Sequence, residues 1–412
     1  MSADPSTLAV HGGEPTFDDQ VLPPWPQHDD AEEKALLDVL SSGAWGSTHG
    51  DVVATFEQEF AEYQQAKHAI CLNNGTLAIA AALRAAGVGL GDEVIVPPYT
   101  FIATASAALF IGAVPVFADV DPVTHLLDPQ ATEAAITPRT KAVIVVHLAG
   151  RPVDMDAFTA IGHRHGLTIV EDCAQAHGAE YRGRRIGAIG DLGTFSFQSS
   201  KNITAGEGGA VVTDDPDLAQ ALYSLVNVGR VPGGGWYQHT TVGYNLRLTE
   251  FQAAILRAQL TRHPHQQQTR EHNATILTDL LGEADGIQVA PPDPAVTAHG
   301  RHLFMFRVPA LGVAGTRDAV VSALAAEGLR AASSGYVPLH RHEALDREIT
   351  ELTGRLGQPY PRTELPVAEQ VCTDTIWLPQ RYLLGTEEQT RQIAAAIVKV
   401  VAAHESLPRP GA

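Results

Sequence analysis

Gly193-Thr-Phe-Ser-Phe-Gln-Ser-Ser-Lys201-Asn-Ile-Thr-Ala-Gly-Glu-Gly-Gly209 sets a single lysine between an apolar, β-rich run and a glycine-rich turn that opens a second apolar run. Read as strand, turn and strand, it puts Lys201 at the C-terminal end of a strand, the edge at which open α/β sheets bind ligands. Desolvation there lowers a lysine's pKa and favours the neutral amine that forms an imine with a carbonyl. Spacing alone leaves the reading of a surface lysine in a loop equally open.

Outward from this stretch, from about residue 67 to 213, short β-branched runs alternate with longer Ala-rich ones. That is the pattern of an α/β fold, a mostly parallel sheet with helices on its faces. Strands are expected over 69–72, 93–97, 114–119, 141–147, 167–172, 193–198 and 209–213. Helices are expected to begin near Thr76, Thr100, Asp128, Asp154 and Asp215, residue types that cap exposed N–H groups. Gly233-Gly234-Gly235 marks a flexible loop, 249–260 a helix with an Ala-rich face, and a long polar helix is expected to follow. Beyond 266 the character changes, to a strand at 302–308, a helix at 316–327 and an amphipathic helix at 387–403. Three parts are expected. Residues 1–50, rich in Pro and Gly and too irregular for a domain, pack on a large domain, 51–265, and a smaller α+β domain, 266–412, whose tail 408–412 frays.

Two more segments carry chemistry. Leu167-Thr-Ile-Val-Glu-Asp172-Cys-Ala-Gln175-Ala-His177-Gly178 reads as a buried strand ending in an acid. A carboxylate held there suits a protonated heterocyclic nitrogen, and equally suits a helix N-cap. His177 reads as a structural, hydrogen-bonding histidine. Asn73-Asn74-Gly75-Thr76 closes a strand and opens a helix, so free N–H groups, the positive dipole end and a hydroxyl converge as an anion site. Helix starts without any ligand share this look.

Composition narrows the classes. A chain of 412 residues, 44% of them hydrophobic, can bury a large core, and a formal charge of −19 opposes binding to nucleic acids and anionic membranes. Cys71, Cys173 and Cys372 are far apart and odd in number, which indicates neither a disulfide framework nor a metal site. With no signal-like start and no long apolar run, a cytoplasmic protein is expected.

Taken together, these segments resemble the DegT/DnrJ/EryC1/StrS family of fold-type I pyridoxal-phosphate aminotransferases. The likeness runs from Leu8-Ala-Val-His-Gly-Gly-Glu-Pro15 and Gly43-Ala-Trp-Gly46 through Asn74-Gly-Thr76, Pro97-Pro-Tyr-Thr-Phe101 and Glu171-Asp-Cys-Ala-Gln175. It continues in Phe195-Ser-Phe197, Lys201-Asn202, Gly206-Glu-Gly-Gly209, Gly243-Tyr-Asn245, Pro338-Leu-His340 and Trp377-Leu-Pro379. It implies a large domain with a mostly parallel seven-stranded sheet plus a smaller α+β domain. It also implies a pyridoxal 5′-phosphate enzyme that moves an amino group from glutamine or glutamate to a keto-sugar or keto-cyclitol in antibiotic-type biosynthesis.

By position, the resemblance makes Lys201 the Schiff-base lysine, Asp172 the partner of the pyridine nitrogen and Gln175 a neighbour of the ring hydroxyl. Phe101 falls at the ring-stacking position; Gly75, Thr76 and Ser196 fall at the phosphate, and Asn245 at a residue that reaches the phosphate of the neighbouring subunit in a homodimer. Trp45, Tyr99, His147, Tyr336 and His340 are candidates for reading the acceptor. The runner-up is an aminohydroxybenzoate-type synthase, which the opening residues 8–15 also resemble. A non-catalytic cofactor-binding regulator is disfavoured, because the chain lacks a basic helix-turn-helix module.

Overall fold

The computed structural model describes residues 7–311 and 316–407. The alternation between residues 67 and 213 becomes one seven-stranded sheet. Its strands are β1 (His68–Leu72), β2 (Glu93–Val96), β3 (Val114–Phe117), β4 (Thr140–Val146) and β5 (Thr168–Asp172). After a short hairpin of β6 (Glu180–Tyr181) and β7 (Arg184–Arg185) come β8 (Leu192–Ser196) and β9 (Gly209–Thr213). The spatial order is β1-β9-β8-β5-β4-β2-β3, and only β9 runs against its neighbours. Every residue of β2, β3, β8 and β9 is buried, because helices cover both faces, and this is why these strands lack a polar alternation.

Two helices precede the sheet, α1 (Asp30–Ser42) and α2 (Val52–Tyr63); α3 (Gly75–Ala85), α4 (Ala103–Phe110), α5 (Pro129–Ala134), α6 (Met155–His165) and α7 (Pro216–Val226) belong to it. Asp128, Asp154 and Asp215 cap α5, α6 and α7 through first-turn N–H groups. Thr100 does not cap α4, which starts later: its hydroxyl pairs with that of Thr104 at 3.1 Å. The C-terminal ends of β1, β2, β4, β5 and β8 share one edge of the sheet, so the loops after them converge there.

The first 50 residues hold more order than their composition suggested. Asp29 and Glu32 form a capping box on α1, and Glu32, buried, is gripped by Arg262 and Gln259. Leu8, Phe17 and Leu22 enter a second apolar core beside α8.

In place of the two helices expected after Thr249, one 33-residue helix, α8 (Glu250–Gly282), runs unbroken through Pro264 and across the proposed 265/266 division. Proline there forfeits one N–H, but α1, α2 and α12 (Glu387–Ala402) pack along the helix and hold it together.

The rest comprises β10 (Val296–Ala298), β11 (Leu303–Arg307), α9 (Thr316–Ala326), α10 (Glu343–Leu356), α11 (Pro366–Asp374) and β12 (Thr375–Pro379). Strands β11 and β12 pair antiparallel. Phe304, Phe306, Ile376 and Leu378 face the second core with α9 and α12, whereas Leu303 and Trp377 join the core of the large sheet. Residues of α10 and α11 also pack on the large sheet although they follow residue 266. The tail 408–412 lies outside the described residues. No helix among those described is long and apolar enough to cross a membrane.

Candidate active site

Lys201 follows β8 in a turn held by its own N–H, which donates to Gln198 O at 2.8 Å. Asp172 ends β5, the strand beside β8. Burial pulls the Lys201 amine down to about 8, against the opposing pull of the Asp172 charge. Burial likewise pushes the Asp172 carboxyl above its ordinary range, while the Ala174 N–H, the Thr104 hydroxyl and Lys201 act the other way. Thr104 Oγ1 donates to Asp172 Oδ2 at 3.0 Å and Ala174 N to Oδ1 at 3.1 Å. A buried carboxylate is thus fixed in orientation beside a desolvated amine, with room in its bonding for a further cationic N–H.

At the end of β1, the Asn74 side chain accepts from Leu77 N at 2.9 Å and turns the chain into α3. Gly75 must be glycine there. A Cβ would stand 2.6 Å from Ser196 Cβ, so the first turn of α3 can sit against Ser196 only without one. Gly209 is subject to the same constraint, since a Cβ would meet Asn74 O at 2.5 Å. The first N–H groups of α3 and the Ser196 hydroxyl are thereby brought side by side.

Gln175 is held at both ends of its amide. Ala149 N donates to Oε1 at 2.7 Å, which turns Nε2 toward Tyr336 Oη at 2.9 Å. Tyr336 stacks edge-on against Trp377, whose indole donates to Tyr99 Oη at 3.0 Å. Burial pushes both phenols well above their ordinary range, so they act as hydroxyl groups. Of the candidate acceptor residues, Tyr336 therefore bonds Gln175 directly, and Tyr99 stands one ring further on, edge-on to Tyr336 at 5.7 Å.

Three others do not. His147 is fully buried: Val153 N donates to Nδ1, so the ring proton sits on Nε2 and goes to Glu171 Oε2 at 3.0 Å. Glu171 points away from Asp172, as strand neighbours do, and also accepts from the Gly187, Ile189 and Gly190 N–H groups. His147, Glu171 and Cys173 are the sole group of metal-ligand type among the described residues, and these bonds already occupy both carboxylate oxygens. His340 bonds Glu369 and lines a separate cleft with Phe117 and Tyr360. Trp45 lies half-exposed against Phe251.

Phe101 stands exposed in the loop after β2, at the shared sheet edge. Asn245 belongs to an exposed arm with Trp236, Tyr237 and Tyr244. Its neighbour Leu246 accepts from Asn73 N at 2.9 Å, which sets the Asn245 backbone beside this chain's own Asn73-Asn74-Gly75 turn. Sequence reasoning assigned no role to Thr104 or to Asn202. Asn202, next to the lysine, donates to Gly300 O at 2.7 Å and bonds His302 Nδ1 at 3.0 Å, pinning the Lys201 turn to the C-terminal part of the chain. The spacing of Thr100 and Thr104 hinted at a shared helical face; nothing local pointed to His302.

An amine for imine formation, an oriented acid for a ring nitrogen, and a glycine cradle at a helix N-terminus for a phosphate are the features pyridoxal phosphate requires, and the residues present fit it. When bound, that group supplies a sink for the electron pair left when a proton leaves the donor's α-carbon. The fold and this arrangement define a pyridoxal-phosphate-dependent aminotransferase.

The chain belongs to the DegT/DnrJ/EryC1/StrS aminotransferase family, whose model matches residues 26–398. It is 40% identical over 388 residues to 3-amino-5-hydroxybenzoate synthase of Amycolatopsis mediterranei (strain S699), covering 92% of this chain and 97% of that one. It is 41% identical over 419 residues to L-glutamine:2-deoxy-scyllo-inosose aminotransferase of Streptomyces fradiae, covering 96% and 98%. Among solved structures it superposes on 3-amino-5-hydroxybenzoic acid synthase with a TM-score of 0.85 at 39% identity, covering 92% and 98% of the two chains. On the aminotransferase from Psychrobacter cryohalolentis the TM-score is 0.82 at 35% identity, covering 91% and 98%.

Proposed function

We propose that this aminotransferase moves the amino group of L-glutamine, or of glutamate, onto a keto-cyclitol in an antibiotic-type biosynthetic pathway. The observation that carries the reading is the desolvated Lys201 amine set beside the buried Asp172 at the sheet edge. The choice of acceptor is supported by the relatives named for 2-deoxy-scyllo-inosose, at 38–41% identity. In this reading Lys201 Nζ takes the proton from the donor's α-carbon and returns one to the acceptor carbon. Asp172 holds a ring N–H, Gln175 the ring hydroxyl, and Phe101 covers the ring face. Gly75, Thr76 and Ser196 bind the phosphate, joined by Asn245 of a second copy in a homodimer. Tyr99 and Tyr336 present hydroxyls to the acceptor. The reading keeps 51–265 as the cofactor domain and 266–412 as the smaller one. It also keeps a cytoplasmic location, in keeping with three free, buried cysteines.

Holoenzyme mixed with L-glutamine and no acceptor should release about one equivalent of keto acid per site, because the two halves of a ping-pong transfer are separable. Adding 2-deoxy-scyllo-inosose should then yield the aminocyclitol. No release from glutamine, glutamate or alanine would overturn the proposal. A second reading, a synthase of the aminohydroxybenzoate type, is favoured by the 0.85 TM-score to that enzyme. A product with aromatic ultraviolet absorption would move the conclusion there.

A further inference from the structure

A cleft of about 840 Å³ opens between α8, β11 and the loops at 121–125, 149–151 and 289–299, and none of the proposed active-site residues lines it. Two of its lining side chains are donors without a partner among the described residues. The half-buried Arg151 guanidinium makes no hydrogen bond or ion pair among the described residues. The carboxylates whose charge reaches it, Asp293 and Asp121, make no ion pair with it, and each turns one oxygen to its own loop. Asp121 Oδ1 accepts from Val123 N, Thr124 N and Thr124 Oγ1, and Asp293 Oδ1 from Ala295 N. By contrast, Arg301 and Arg307 in the same cleft are held in two-pronged pairs by Glu271 and Asp374.

The second donor is His125. It is 4% exposed, it lines the cleft, and neither of its ring nitrogens has a partner. The ring packs edge-on against Tyr99 at 5.8 Å, and the backbone sits in the left-handed region at φ +62°. A buried imidazole left unpaired costs stability unless water or a ligand completes it. An unpaired guanidinium is the strongest protein donor for a planar oxyanion. Around them, Leu303, Met305 and Val289 offer apolar surface.

We propose that this cleft is a second ligand site, which takes a small organic anion with its carboxylate or phosphate on Arg151 and His125 and its apolar body against Leu303, Met305 and Val289. The site stands apart from the choice of amino acceptor. Its wall is nonetheless shared with the proposed active site, since Ala149 lines the cleft and its N–H orients Gln175.

Calorimetric titration of the holoenzyme, whose phosphate turn is then filled, tests this with benzoate, phenyl phosphate and the neutral isostere benzamide. At least one of the two anions should bind and benzamide should not. Tighter binding of benzoate assigns a carboxylate ligand, and tighter binding of phenyl phosphate a phosphate ester. Arg151→Met leaves no protein group unpaired and should weaken the anion about tenfold or more, a charged hydrogen bond being lost. His125→Phe keeps the packing on Tyr99 and should weaken it by a smaller factor. Both variants should retain the rate of keto acid release from L-glutamine. The proposal is overturned if neither anion binds at millimolar concentration, if affinity is indifferent to both substitutions, or if the anion competes with L-glutamine.

Discussion

Lys201 is the residue on which burial acts most usefully. Its amine, brought down to about 8, is half neutral at a pH where a surface lysine is almost wholly charged. In cofactor-free protein, labelling of Lys201 by an amine reagent, followed by peptide mass spectrometry, should be half-maximal near pH 8. Asp172→Asn removes the negative charge that favours the ammonium, so that midpoint should fall further. The same variant keeps an acceptor for Thr104 but no charge for a ring nitrogen. Its kcat/KM for the amino donor should drop on the order of 10²-fold or more, about 2.7 kcal/mol of barrier. Near-normal turnover would reduce Asp172 to a loop-capping residue. The positions of Asp172, at the end of an apolar run, and of Lys201, in the turn after one, were legible; the difference between His147 and Tyr336 was not, since a lone histidine and a lone tyrosine carry no mark of the face they occupy.

Elements meet through groups that sequence spacing does not connect. Gly75 on α3 and Ser196 on β8 touch so closely that Gly75→Ala must displace one of them. Overpacking of this kind costs about 1–3 kcal/mol, and equilibrium dialysis should show cofactor affinity reduced by roughly 5- to 150-fold. Glu327, buried just past α9, accepts from Ala9 N, Thr16 N and Thr16 Oγ1 and pairs with Lys399. Glu327→Ala strands all of these at once and should destabilise the fold by about 3–5 kcal/mol. Limited proteolysis should then cut the first 20 residues early; resistance equal to wild type would show that Leu8 and Phe17 hold the segment unaided. The stripe Leu345, Ile349, Leu352 and Leu356 along α10 has helical spacing and packs on the large core, so this helix was readable from its pattern although it was not anticipated. The ending of α8 was harder to read, because Pro264 signals a break that only the flanking helices override.

At the scale of the whole molecule, pH and assembly are the levers. Burial, aided by the charge of Glu250, pushes Glu57 up from 4.5 to about 7. A carboxyl raised in the folded state costs nothing while both states are protonated, below about pH 4.5, and costs most once both are ionised, above about pH 7. Stability should therefore decline as pH rises through this window. Glu57→Gln, whose amide oxygen can still accept from Cys71 N, should raise Tm at pH 8 and leave it unchanged at pH 4, with a gain of up to about 3 kcal/mol. For assembly, mixing Asn245→Ala with Lys201→Ala discriminates between two geometries. If Asn245 serves the partner's site, one site of each mixed dimer carries both lesions and the other none, so activity returns on subunit exchange. If the adjacency of Leu246 to Asn73 means that Asn245 serves its own chain, no activity returns.

The sequence by itself determined the succession of strands and helices between residues 67 and 213, the lysine and the acid at two strand ends, and the glycine turn at a third, because runs, caps and turns are local chemistry. Tertiary structure alone decided that Glu171 and Asp172, adjacent in the chain, serve opposite faces of the sheet, one bound to His147 and the other beside Lys201. It alone joined Gln175 to Tyr336 and Asn202 to His302 across more than ninety residues. The physical reason is that a strand alternates its side chains between two faces, and which face becomes the cleft depends on what packs against the sheet from elsewhere in the chain.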